Sequence, residues 1–232
     1  MPKIINFTFY KKTNLVDLSL DNGETYILDA ELVFDKRLTK GVEIDSDTIK
    51  KYLYESLYKR LLRQAFAYLS IRTRSVSELQ FYLTKKIRNL LKLFNLSEKF
   101  SVVDIINSVI DELKRRKYLD DYQFAKTYIE QQIQTKSKGS RALAYALMKK
   151  GIDKQIITSI LNNKEIVSSE NINSLIDKSI TKIGIIIKSR SLDKRKAKEM
   201  LIRRLLSRGF EFGKIRSKID DWIRCEYNRE VN

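Results

Sequence analysis

The chain contains no histidine. That removes Ser-His-Asp chemistry, imidazole acid–base catalysis and His metal ligands. One cysteine, Cys225, leaves no partner for an intrachain disulfide and no thiolate cluster, and it suits a reducing compartment. The single proline is Pro2, so no helix further along is broken by proline. There are seven glycines and no G-x-x-x-x-G-K-[ST] loop, so nucleotide binding through a P-loop is not expected. No stretch approaches 18 uncharged apolar residues, and MPKIINFTFYKK has neither an apolar core nor a cleavage site. No membrane span or secretory leader is expected, and the expected location is the cytoplasm. Carboxylate or lysine chemistry has no supporting motif, so neither a catalytic residue nor a cofactor is expected.

What the chain does have is positive charge. Its 46 Lys and Arg against 29 Asp and Glu give a net +17. Such an excess points to an acidic partner, most often nucleic acid, although part of any charged run is solvated surface. The excess is unevenly spread. Residues 1–48 hold 6 basic and 9 acidic residues, a net −3, which leaves +20 for the rest.

Residues 1–47 read as strands. Ile5, Phe7 and Phe9 alternate with Asn6 and Thr8, and Val16, Leu18 and Leu20 alternate with Asp17 and Ser19. Asp21-Asn22-Gly23 supplies the Asn-Gly hairpin signal, a turn with φ > 0 at both central positions. Glu24–Leu28 is then the returning strand of a small antiparallel meander. From 48 onward the periodicity is helical. Ile49, Leu53, Leu57, Leu61, Ala65 and Leu69 share one side of a long helix. Ser75-Val76-Ser77-Glu78 fits a capping box opening the next helix. A further helix spans roughly 101–117. Asp120 with Gln123 fits a helix cap, and Asp121 falls in the first turn. A metal site on these two aspartates would need further ligands at a supporting spacing, and none is there. Gly151 and Gly209 each stop a helix as left-handed caps.

One short pattern recurs: IRTRS at 71–75, IQTKS at 133–137 and IKSRS at 187–191. Each ends one helix and precedes another. Basic side chains face the negative end of the finished helix, and the serine offers a cap for the next. Recurrence at this spacing predicts tandem three-helix repeats. The expected architecture is mainly α, a short curved solenoid behind a small N-terminal β-hairpin or meander. The expected segments are 1–47 (β extension), 48–119 (first repeat, with an insertion near 88–100), 120–167 (second repeat) and 168–232 (third repeat).

The joints place Arg72 and Arg74, then Lys136 and Lys138, then Lys188 and Arg190 at equivalent positions. The second helices add Lys85, Lys86 and Arg88, then Arg141, Lys149 and Lys150, then Lys194, Arg195, Lys196, Lys198, Arg203, Arg204 and Arg208. Stacked units would align these into a strip able to track phosphates without reading bases. The stretch 188–208 alone carries nine basic residues against Asp193 and Glu199, a net +7. Most Tyr and Phe residues lie at helical spacing with Leu and Ile, where core packing is the expected role rather than base stacking.

These residues also carry a resemblance. AFAYLSIRTRSVSELQFYLTKK, VIDELKRRKYLDDYQFAKTYIEQQ, KSKGSRALAYALMKKGID and KEMLIRRLLSRGF, in that order, resemble the RecX family, the regulators of the RecA recombinase. The match covers about residues 60–212. Its most specific pieces are R-S-x-x-E-L at 74–79, Y-L-D-D-x-x-F-A at 118–125, K-K-G-I-D at 149–153 and R-R-L-L-S-R-G-F at 203–210. The N-terminal hairpin resembles the extension that many members carry. The resemblance implies tandem three-helix repeats and no catalytic residues. It implies binding in the groove of the RecA–DNA filament, which limits strand exchange, ATP hydrolysis by RecA and RecA-stimulated cleavage of the SOS repressor. It also implies contact with single- or double-stranded DNA in some members. A monomer is expected. The chain departs from the family at TKKIRNLLKLFNLSEKFSVVD, where about a dozen residues replace a short turn and either lengthen the second helix or form an extra one. The other reading open at this point is a sequence-independent nucleic-acid-binding solenoid without RecA specificity.

Overall fold

The computed structural model describes residues 1–94, 96, 102–135 and 138–227. Among these the chain is mainly α-helical, with one three-stranded antiparallel sheet at its N-terminus and ten helices after it. Two compact units divide it, Met1–Asp120 and Asp121–Asn232.

The first unit opens with strands β1 (Ile4–Tyr10), β2 (Leu15–Leu20) and β3 (Thr25–Asp29), in the order β1-β2-β3. In β2 the alternation is as expected, with Val16, Leu18 and Leu20 buried. In β1 it is not. Ile4 is the buried residue, while Ile5 and Phe9 are exposed. The register slips between Ile4 and Asn6, so Ile4 rather than Ile5 takes the inward place opposite Leu20, while Phe7, opposite Leu18, still packs against the core. The hairpin at Asp21–Gly23 also differs from the two-residue turn expected. The amide of Gly23 donates to the Leu20 carbonyl at 3.1 Å, that of Leu20 donates to the Glu24 carbonyl at 2.9 Å, and of the loop only Gly23 is left-handed (φ 84°). This is a three-residue loop closed by a glycine bulge, so Asn22 needs no positive φ.

A short helix absent from the sequence reading follows, α1 (Ala30–Asp35), capped by Asp29, whose carboxylate accepts the Glu31 amide at 3.2 Å. Next come α2 (Ser46–Leu69), α3 (Val76–Leu93) and α4 (Val102–Arg115). Asp45 caps α2 by accepting the amides of Thr48 (2.7 Å) and Asp47 (2.9 Å). Those donors, that of Thr48 above all, hold its carboxyl below the usual 3.8. The expected stripe of α2 is buried from Ile49 to Ala65 and joins the sheet's apolar face and the inward residues of α3 and α4 in one core. The inserted residues lengthen α3 as far as Leu93, and residues 95 and 97–101 lie outside the described residues.

The second unit holds α5 (Asp121–Thr135), α6 (Ser140–Met148) and α7 (Lys154–Asn162) around Phe124, Ile129, Leu143, Leu147 and Ile160. It continues with α8 (Ser169–Ser189), α9 (Lys194–Ser207) and α10 (Phe212–Tyr227) around Ile176, Ile183, Leu201, Leu205 and Ile219. Ile133 and Val167 pack against both cores. The ends of α4, α6, α8 and α9 share one device, seen also at the end of α1, where Arg37 is left-handed (φ 50°) and the Leu38 amide reaches back to the Val33 carbonyl. Lys117, Gly151, Ser191 and Gly209 are left-handed (φ 60°, 73°, 46° and 83°). The next amide in each case reaches back five residues, Tyr118 to Leu113, Ile152 to Leu147, Leu192 to Ile187 and Phe210 to Leu205. That satisfies carbonyls a helix terminus leaves open.

Candidate nucleic-acid interface

Among the described residues the recurring joint is realised in full at Ser75. Ser75 accepts the Glu78 amide at 3.1 Å while Glu78 accepts the Ser75 amide at 3.3 Å, the reciprocal box expected. In the third joint Ser191 is not the cap. It takes the left-handed position that closes α8, and the cap of α9 moves to Asp193, which accepts the Lys196 amide at 2.9 Å. In the second joint the cap of α6 is Gly139, which makes no side-chain cap bond, while Lys136 and Ser137 lie outside the described residues.

What replaces the missing side-chain cap is the end of another helix. Gly139 donates its amide to the Arg208 carbonyl at 2.8 Å, and Arg141 donates its amide to the Gly209 carbonyl at 3.2 Å. Orphan donors at the start of α6 thus meet orphan acceptors at the end of α9. The approach is possible because neither glycine carries a Cβ. A methyl on Gly139 would overlap the Gly209 carbonyl group, and one on Gly209 would sit 2.6 Å from the Ala142 Cβ. The consequence is electrostatic. Lys138, Arg141 and Arg208, which the sequence pattern assigns to different repeats, leave the backbone at one seam. Among the described residues none of the three has a carboxylate within 4.0 Å. Arg204 lies one turn before Arg208 on α9, and Arg203 beside it is exposed; neither has an acidic partner among the described residues. Arg190 and Lys194 are exposed and likewise without one.

Other members of the sequence-derived strip are occupied within the chain. Arg72 grips Glu78 with both terminal nitrogens (3.1 and 3.2 Å), so it locks the capping box. Lys188 pairs with Glu226 at 2.6 Å and Lys198 with Asp220 at 2.7 Å. Arg195 stands 4.0 Å from Glu199. Arg74 lies over the Tyr68 ring at 4.2 Å, and Tyr68 stacks on Tyr82 with centroids 4.0 Å apart. Lys86 is over Tyr82 at 5.4 Å. Lys150 lies over Phe124 and Tyr128 at 5.6 and 5.5 Å. Lys85 sits 4.2 Å over Phe81, and Lys149 sits 4.8 Å over Tyr145. A surface pair is worth only about 0–1 kcal/mol, so pairing does not disable a cation, but it sets its position.

Residues outside the sequence-derived set join the site. A shallow cleft of about 400 Å³ between α9 and α10 is lined by Lys194, Arg195, Lys198, Asp220, Ile223 and Arg224. Its one carboxyl, Asp220, is held below the usual range first by Lys198 and then by the nearby Arg216 and Arg224. Arg224 escapes a sequence reading because α10 has the pattern of a packing helix; only its approach to α9 makes it part of a basic surface. Among the described residues no group of three or more His, Cys, Asp or Glu could hold a metal ion, and no helix is long and apolar enough to cross a membrane. Asp121 is the first residue of α5, which puts Asp120 in the cap position.

Comparison with known proteins gives a consistent result. Residues 120–161 match the family model described as RecX, second three-helix domain. The regulatory protein RecX of Clostridium perfringens (strain SM101) is 30% identical over 213 residues, which span 91% of this chain and 92% of that one. The regulatory protein RecX of Clostridium acetobutylicum is 30% identical over 205 residues, 88% of each chain. A crystal structure of a regulatory protein RecX shares the fold with a TM-score of 0.67 at 21% identity, covering 97% of this chain and 100% of that one.

Proposed function

This chain belongs to the RecX family of regulatory proteins, and from that premise we propose that it binds the RecA–DNA filament and restrains it, without catalysing a reaction itself. RecA's strand exchange, its ATP hydrolysis and its coprotease activity are the steps it inhibits. The contact is electrostatic and directed at phosphates. The observation that carries this reading is the seam where Lys138, Arg141 and Arg208 emerge together without carboxylate partners among the described residues, continued along α9 by Arg204 and Arg203. Backbone phosphates are the acidic surface such a strip fits, and contact to them carries no sequence information. The protein acts as a cytoplasmic monomer built of three successive three-helix repeats, at 48–119, 120–167 and 168–232, behind the β extension at 1–47.

The test is single-stranded-DNA-dependent ATP hydrolysis by the cognate RecA, with and without the protein, at two salt concentrations and in excess DNA. Inhibition well below one copy per RecA that persists at the higher salt supports filament regulation. Inhibition abolished by excess DNA leaves a sequence-independent nucleic-acid-binding protein.

A further inference from the structure

On α3, Phe81 and Lys85 stand six and ten residues beyond the cap Ser75. Tyr145 on α6 and Lys149 at its C-terminal cap stand six and ten residues beyond the cap Gly139. The two helices have different sequences, yet each carries an outward ring with an ammonium over it, at 4.2 Å in the first and 4.8 Å in the second. The rings are 64% and 59% exposed. The inward faces are already made by Leu79, Leu83 and Ile87 in α3 and by Leu143 and Leu147 in α6, so neither ring is needed for the core. Nor does helix formation ask for them. Aromatic residues are poorer helix formers than the Ala, Glu or Lys that fill an ordinary exposed position. The ring–lysine pair returns only about 0.5–1 kcal/mol at an exposed site. On α9 the same two positions are Glu199 and Arg203, so the ring is missing there and only charge remains.

We infer that Phe81 and Tyr145 are stacking steps for single-stranded nucleic acid, each ring taking a base while the lysine one turn on takes a neighbouring phosphate. The inference rests on the nucleic-acid reading proposed above and names the strand state that these two helices select. A ring with a fixed cation beside it matches a nucleotide, which offers a flat π-face and a negative charge a few ångströms apart. Any base supplies the face, so the step is tolerant of sequence. A duplex keeps those faces inside its own stack, so the rings add nothing to duplex binding. The seam at Lys138, Arg141 and Arg208 binds either form through phosphates alone.

Fluorescence anisotropy separates the two contributions. The probes are a labelled oligo-dT of about 20 nucleotides and an abasic oligonucleotide of the same length, each titrated with the wild type, Phe81→Ala, Tyr145→Ala and Phe81→Trp. Each alanine variant is expected to weaken oligo-dT binding about fivefold or more. Abasic binding and the slope of log K against log salt should stay at the wild-type values, and Phe81→Trp should keep wild-type affinity. Circular dichroism melts verify that these exposed substitutions leave the fold intact. Equal losses on both probes, or no loss on either, overturn the inference while the phosphate seam stands. No binding of either probe by the wild type overturns both readings. Loss of RecA inhibition with oligo-dT affinity unchanged assigns the rings to a protein surface and also overturns the inference.

Discussion

Gly139 and Gly209 meet backbone to backbone: the amide of Gly139 bonds to the carbonyl of Arg208, next to Gly209, and no side-chain atom fits between them. The start of one helix is capped by the end of another seventy residues further on, and that approach draws Lys138, Arg141 and Arg208 together. Gly139 has an ordinary φ of −79°, so alanine there is disfavoured by the close approach alone. Gly139→Ala is expected to cost about 1–3 kcal/mol, as overpacking does, which lowers Tm by roughly 2–4 °C per kcal/mol in a chain of this size. Gly209→Ala should cost more, because φ +83° adds strain to the clash with Ala142. A melt of Gly139→Ala within a degree of wild type would show that the seam opens freely.

A second prediction concerns the join between sheet and helix in the first unit. The Asp29 carboxylate is fully buried (0% exposed), caps α1 and pairs with Arg63 of α2, whose side chain is 43% exposed. Removing Arg63 strands a buried charge, while removing Asp29 leaves a guanidinium that reaches water. Arg63→Met should therefore destabilise by about 3–5 kcal/mol, and Asp29→Ala by less. Adding Asp29→Ala to Arg63→Met should recover part of the loss. Urea melts of the four proteins test this; full additivity would mean the two residues do not interact.

Helix by helix, most of this fold is legible in the sequence. The stripe from Ile49 to Ala65, the capping box at Ser75 and the stops at Gly151 and Gly209 depend on residues within one or two turns of each other, and local physics decides them. The failures lie where distant partners decide. The slip at Ile4–Asn6 puts Ile4 inward in place of Ile5, although the alternation of β1 is faultless in sequence. The serine of the recurring joint loses its capping role at Ser191 because closing α8 needs that residue first. The basic strip is legible as charge but not as surface. Nothing in the spacing shows that Arg72 is spent on Glu78, or that Arg224 of α10 lines a cleft with Lys194 of α9. Phe81 and Tyr145 each stand two residues from buried leucines (Leu79 and Leu83, Leu143 and Leu147), so the helical period itself turns them outward, and the core packing expected of most Tyr and Phe does not extend to them.

The dependence of stability on pH follows from the caps and from the absent histidine. Asp45, Asp193 and Asp220 are all held below 3.8, chiefly by bonds from Thr48, Lys196 and Lys198. Those donors exist only in the fold, so below pH 4 the unfolded chain binds the protons more readily. The stability these groups add is complete above about pH 4 and fades as pH falls through their lowered values. With no histidine to titrate, Tm should be nearly level between about pH 5 and 8 and fall on the acid side. Asp193→Asn should flatten part of that fall. A Tm that changes steeply near pH 6 would contradict the assignment.

The two kinds of arginine in the strip should separate in one experiment. Arg203, Arg204 and Arg208 have no acidic partner among the described residues, whereas Arg72 is held by Glu78 in the cap of α3. If the first three meet phosphates, replacing them with alanine removes up to three released counterions. The slope of log K against log salt then falls by about 0.9 for each phosphate no longer neutralised, with the same drop in affinity for every DNA sequence. Arg72→Ala removes a clamp instead. It should leave the salt slope near that of the wild type and lower Tm by a few degrees, the scale of a capping contribution of about 1 kcal/mol. Salt titrations of DNA binding beside thermal melts distinguish them. If Arg72→Ala loses affinity and slope as the triple variant does, the ion pair with Glu78 yields to phosphate and the strip extends to the first unit. If the triple variant keeps its slope, the phosphates are met elsewhere, and the cleft holding Arg224 is the next surface to test.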